Sequence, residues 1–197
     1  LLGLSHPLDL GRTLAEIEGA NLVRWLTALP ANKLSASTYR ELLAALSRED
    51  LRRLLPALEP VTLTFGQILF EAGQPIRHVY FPYDALVSLI AAVDARQALE
   101  VSLVGREGMV GIPLALGVGI TPVRALVQGS GTAMRMETAR FRMAFPRCTS
   151  LQRELHRYAH ILMTEVTQTA ACNRFHVVEA RLARRLLMTR DLLHTEQ

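Results

Sequence analysis

Few side chains in this sequence of 197 residues stand at spacings that carry chemistry. His156 and His160 are four apart, so on a helix they share one face and could chelate a metal ion. No third ligand follows at an obvious spacing, and a partly exposed polar flank is the simpler reading. Cys148 and Cys172 are the only cysteines, too few for a disulfide framework or a zinc knuckle. Cys148 reads as a small apolar residue, with a redox switch as the alternative. Gly117-Val118-Gly119 reads as a flexible turn, because no Gly-x-Gly-x-x-Gly leads into a helix, and neither a Walker loop nor a G-x-S-x-G elbow is present. A metal-dependent enzyme built on strands would need a close His-x-His pair and a Glu, and the strand-like region holds only His78. No catalytic residue, no metal site and no cofactor is therefore assigned. The concentrated signal is cationic. Residues 140–197 carry 10 Arg against 5 acidic side chains, whereas residues 1–139 carry 12 basic against 13 acidic. Arg181, Arg184 and Arg185 stand at the centre of that basic end. A polyanionic partner and a solvated helical face both explain it.

The elements that position these residues follow from where Gly and Pro fall. Nine of the twelve glycines lie in residues 66–131, and after Pro146 there is neither Gly nor Pro. Turns use these residues and helix interiors reject them, so the centre reads as short strands and the tail as helix. Before Pro60 the pattern is helical. Residues 12–29 are amphipathic through Leu14, Ile17, Leu22 and Leu26. A second helix is expected over 39–46 with Ser37 or Thr38 as its cap. A third follows Ser47 and its acidic first turn Glu49-Asp50, and stops at Pro56. Residues 1–11 read as a loose arm. From Val61 the period changes to two, with Val61, Leu63 and Phe65 on one face. Strands are expected at 68–70, 78–81, 85–93, 98–104, 123–128 and 132–136, which predicts an antiparallel β-roll or jelly roll.

The tail splits into two helices. Ser150 is the expected cap of the first, which reaches about residue 173. Its apolar stripe is Leu151, Leu155, Tyr158, Leu162 and Val166. That seam suits pairing with a second copy of the chain, and packing on the chain's own sheet is the alternative. The helix is long enough to overhang the rest of the domain, which favours a homodimer. The second helix covers 177–193. Apolar residues make up 50% and charged residues 20%, so the chain is expected to fold. The longest uncharged run, residues 108–123, is too short and too rich in Gly and Pro to span a membrane. The first ten residues lack a basic start and a cleavage pattern, so secretion is not expected and a cytoplasmic location is.

Four segments in this order resemble the Crp/Fnr family of bacterial transcription regulators. They are Val61-x-Leu63-x-x-Gly66-x-x-Leu69-x-x-x-Gly73, Val79-Tyr80-Phe81-Pro82, Gly105-x-x-Gly108-Met109-Val110-Gly111, and Val178-Glu179-Ala180-Arg181-Leu182-Ala183-Arg184-Arg185-Leu186-Leu187. The resemblance runs over about residues 34–193. It implies an α+β fold with a helical arm at 1–33, a cyclic-nucleotide-binding-type β-roll at 34–147, a dimerisation helix at 148–175, and the first helix of a winged helix-turn-helix at 176–197. It also implies a sensor that regulates transcription as a homodimer, with DNA and a small-molecule effector as partners, and no enzyme. The recognition helix that enters the major groove is expected to lie beyond residue 197. A small-molecule-binding regulatory module without DNA contact is the alternative. Some family members carry haem, for which His78 is a conceivable ligand, although an ordinary strand histidine explains it as well. Two cysteines are too few for an oxygen-sensing iron–sulfur cluster.

In the resembling family a phosphate cassette holds the cyclic nucleotide. A short helix begun by Gly offers N–H groups, a Glu takes the ribose, and an Arg in Arg-x-Ala-x-Val pairs with the phosphate. By that pattern the effector residues here are Val110, Gly111, Ile112, Pro113, Val123, Arg124 and Ala125. Ile112 stands where the Glu belongs, and Val123 where the Arg belongs. Arg124 comes one residue late, which on a strand turns it to the opposite face. Each lost charged hydrogen bond is worth roughly 1.5–3 kcal/mol, so two losses weaken binding by about two to four orders of magnitude. The effector is expected to be something other than cAMP.

Overall fold

The computed structural model describes residues 42–92 and 97–193. The arm at 1–33 and the helix expected over 12–29 lie outside the described residues. Of the helix expected over 39–46, residues 42–46 form turns instead. Helix α1 (Arg48–Leu54) follows, and its cap is Ser47, whose Oγ accepts the Asp50 N–H at 3.1 Å. Pro56 tightens the chain into a 3-10 turn, Leu55–Ala57, that ends the helix.

Seven strands follow, several of them joined by turns that carry Gly. They are β1 (Glu59–Leu63), β2 (Ile68–Phe70), β3 (His78–Pro82), β4 (Leu86–Ala92), β5 (Ala98–Val104), β6 (Arg124–Gly129) and β7 (Gly131–Glu137). They pair antiparallel in two sheets of order β1-β7-β3 and β2-β6-β4-β5. Phe65 departs from the expected alternation: the strand ends at Leu63 and Phe65 stands exposed in the turn. A short 3-10 helix, Ile112–Leu116, bridges β5 and β6. Gly111 precedes it at φ +106°, a region that L side chains rarely adopt. One core fills the space between the sheets, with Val79, Phe81, Val87, Val104, Val110, Ala125, Val127 and Met136 among its members.

Three helices close the chain: α2 (Thr138–Ala144), α3 (Thr149–Phe175) and α4 (Val178–Leu193). Ser150 does not cap α3, which begins one residue earlier at Thr149. Its N–H and Oγ instead donate to Asp50 Oδ2 at 2.9 and 2.6 Å, and its Oγ accepts the Ser47 N–H at 3.1 Å. This network pins the start of α3 to the start of α1.

The stripe read as a dimer seam is corrected over most of its length. Leu151, Leu155 and Tyr158 are buried within a single copy of the chain and belong to the core of the roll. Leu162 is partly buried against that core, and only Val166 is exposed. The physical reason is that the first half of α3 lies across the roll, where an apolar stripe of this spacing finds its partners within the chain. Cys148 is also fully buried in the core, and Cys172 is buried and free. Among the described residues no helix is long and apolar enough to cross a membrane.

Candidate functional site

The residues matched to the phosphate cassette fall on two segments, one at the start of the 3-10 helix and one at the start of β6. Val110 pairs with Tyr80 through two backbone hydrogen bonds of 2.9 and 3.0 Å, which fix the entry to the turn. Gly111 packs so closely on Val79 that a Cβ would stand 3.1 Å from its Cγ1. Ile112 is buried and joins Leu114 and Ala115 in the core, while Pro113 is half-buried. The Ile112 side chain thus fills interior space with carbon where the family pattern has a carboxylate.

On β6 the burial alternates. Ala125 lies opposite Leu89, and both are buried; Arg124 lies opposite Ile90 on the other face. Arg124 is exposed, and its Nε donates to Glu71 Oε2 at 2.7 Å. Val123, half-buried against the core, has its N–H held by Thr121 Oγ1 at 3.2 Å. Among the described residues the buried polar side chains are Asp50, Ser88, Ser102, Glu107, Thr121 and Ser150, and none is a cation. Among the described residues the interior of the roll thus buries no guanidinium or ammonium group that could meet a phosphate.

Polar chemistry gathers instead beneath α3. Glu107 is buried; its Oε1 accepts the Gly105 N–H at 2.9 Å, and its Oε2 is buried without a partner. Burial pushes its carboxyl up to about 7. The Tyr158 hydroxyl is likewise buried without a partner, and burial drives its pKa well above the usual tyrosine range. Glu165 accepts from Ser102 Oγ at 2.7 Å, and burial raises its carboxyl as well. The sequence signal for this cluster was weak: Glu165 interrupts the apolar stripe, Ser102 sits mid-strand, and Glu107 hides in a glycine turn.

The three arginines of α4 also differ from expectation. Arg181, Arg184 and Arg185 line a cleft between β5, α3 and α4 rather than standing free on the outer face. Arg185 forms an ion pair with Glu100, whose Oε2 accepts from Ser88 Oγ at 2.6 Å. A larger cavity of about 760 Å³ lies elsewhere, between α1 and α2. There Arg53 and Arg140 donate to the carbonyls of Arg147 and Pro56 at 2.8 and 3.4 Å. His156 and His160 are both exposed on α3, with the His156 ring edge-on to Phe145. The His78 ring lies 6.2 Å from that of Tyr80. No group of three His, Cys, Asp or Glu side chains that could hold a metal ion forms among the described residues.

No protein-family model matches the chain, and no curated protein matches it in sequence. Solved structures match in shape. The global regulator CLP of Xanthomonas campestris, described as responsive to c-di-GMP, superposes with a TM-score of 0.61 at 18% identity over 71% of this chain and 70% of that one. The catabolite activator protein of Thermus thermophilus gives 0.54 at 15% identity, over 69% of this chain and 64% of that one. A cyclic nucleotide-binding domain from Methylobacillus flagellatus gives 0.52 at 12% identity, over 71% and 82%. With two antiparallel sheets closed into a roll and a long helix laid across it, the chain has the fold of a Crp/Fnr-like cyclic nucleotide-binding domain.

Proposed function

We propose that this chain is the sensor and dimerisation part of a Crp/Fnr-type DNA-binding transcription regulator, acting in the cytoplasm on an effector other than cAMP. One observation carries the effector reading. Ile112 fills the interior with carbon, Arg124 is drawn outward to Glu71, and no cation is buried among the described residues. A cyclic phosphate entering the roll would leave water and meet no compensating charge, which disfavours it strongly. In this reading the roll holds a more apolar effector between Val110, Gly111, Ile112, Pro113, Val123 and Ala125. Its binding shifts the population between two settings of α3 and α4, and so the spacing of the DNA-reading heads. The domain division follows the same reading: roll to residue 147, dimerisation helix at 148–175, and the start of a DNA-binding domain from 176.

Calorimetric titration with cAMP, and in parallel with cyclic di-GMP, tests it. The expected result is no cAMP binding at micromolar concentration. Micromolar or tighter cAMP binding would overturn the assignment of Ile112 and Val123. A regulatory module that never contacts DNA is the second reading, favoured by the inward turn of Arg181, Arg184 and Arg185. The reading frame beyond residue 197 separates the two: a helix-turn-helix pattern there would support DNA contact, because sequence-specific binding needs a helix in the major groove.

A further inference from the structure

We infer that the cleft between β5, α3 and α4 is a second binding site, separate from the roll, that takes a phosphate-bearing small molecule on Arg181 and Arg184. The cleft measures about 350 Å³, within the usual range for small-ligand sites. Apolar Val101, Leu103 and Met188 share its wall with the arginines, so a ligand with one charged end has both surfaces it needs.

The case rests on donors that lack acceptors. Arg184 Nη1 reaches only neutral groups, Thr169 Oγ1 at 3.4 Å and Cys172 Sγ at 3.6 Å. Arg181 Nη1 reaches Asn173 Oδ1 at 3.3 Å, which is also long and neutral. Arg181 Nε and Asn173 Nδ2 are buried with no partner at all. Buried donors of this kind are rarely left unmet, and here they belong to the Arg181 guanidinium and the Asn173 amide on the walls of one cleft.

The neighbouring carboxylates do not fill the vacancy. Glu100 is committed to Arg185 and Ser88. Glu165 is held by Ser102 at 2.7 Å, and burial inclines it toward its neutral form, which lowers its repulsion of an anion. Arg184 lies close enough for its charge to act on Glu165, which offsets it in part, while the hydrogen bond of Arg181 goes to the neutral Asn173 amide. The forked donors of the two guanidinium groups match the several oxygens of a phosphate better than the two of a carboxylate. The site joins a strand of the roll, the long helix and α4, so an occupant would fix the angle at which α4 leaves the roll.

The test uses inorganic phosphate on the 197-residue chain, with ionic strength held constant by sodium chloride. The side-chain Nε–Hε resonances of arginine report it by NMR. The Arg181 and Arg184 signals are expected to move saturably, with a Kd of about 1–10 mM for the bare ion. Arg184→Gln should weaken that binding about tenfold or more, and Arg190→Gln, on the exposed side of α4, should not change it. Arg184→Lys keeps the charge and removes the fork, so it should fold as the parent does and bind several-fold more weakly. A linear drift shared by all arginines overturns the inference, as does saturable binding unchanged in both Arg184 variants. Repeating the cAMP titration in Arg184→Gln separates binding in the roll, which that variant leaves unchanged, from binding in this cleft, so either result can fail without the other.

Discussion

Glu107 lies 8% exposed, with one carboxylate oxygen on the Gly105 N–H and the other facing no donor. Desolvation dominates its titration, with the charge of Glu165 adding to it, and lifts the carboxyl from an ordinary 4.5 to about 7. Between those values the folded chain binds the proton more tightly than the unfolded chain does. Stability from this group is thus fully present below about 4.5 and is lost as pH rises through about 7. At about 1.4 kcal/mol per unit of pH, the loss is at most roughly 3 kcal/mol. Glu107→Gln retains an oxygen for the Gly105 N–H and cannot ionise. Urea unfolding at pH 5 and pH 8 should show the parent losing stability across this interval and the variant losing much less. An unchanged difference would place the source of the pH dependence elsewhere.

At the scale of elements, the attachment of α3 to the roll turns on a close approach at Gly108. A Cβ there would run into the ring and hydroxyl of Tyr158, which is buried in the core. Gly108→Ala should lower stability by about 1–3 kcal/mol, read as a lower urea midpoint at unchanged slope. Tyr158→Leu in the same chain should recover part of that loss, and a strictly additive double variant would refute the contact as the cause. The elements themselves were largely legible. The switch to period two at Val61 marks the start of the roll, Ser47 caps α1, and the absence of Gly and Pro after residue 146 marks α3 and α4. Helix α2 was not, because Arg140-Phe141-Arg142-Met143 alternates as a strand does and buries only Phe141. The outward turn of Arg124 follows from strand period alone. The partner of an apolar stripe does not follow from its spacing: Leu151, Leu155 and Tyr158 would look the same under a second copy as under their own roll. The basic face of α4 was equally mute, since intervals of three and four put Arg181, Arg184 and Arg185 on one side without saying that β5 covers it.

For the whole molecule, the correction at Leu151, Leu155 and Tyr158 moves any dimer seam partway around α3 and into its later half. The helix is 27 residues long, about 40 Å, and its later half turns one side to β5 and α4 and another to solvent. Met163 is 68% and Val166 37% exposed, and exposed Ala170 continues the row at spacings of three and four. Phe175, Val177 and Val178 extend the exposed apolar surface around the start of α4. Burying side chains such as Met163 and Val166 in a symmetric helix pair is worth about 1.5–3 kcal/mol each, opposed by the cost of association. Sedimentation equilibrium at tens of micromolar should find the chain dimeric, and Met163→Asp with Val166→Asp should give a monomer of unchanged circular dichroism. Both side chains face solvent in one copy, so the charges should dissociate the pair without unfolding it. Leu155→Asp places its charge in the protomer core instead, and should unfold the chain at any concentration. A parent chain that is monomeric, or a Met163/Val166 variant that stays dimeric, would exclude this face of α3 as the seam.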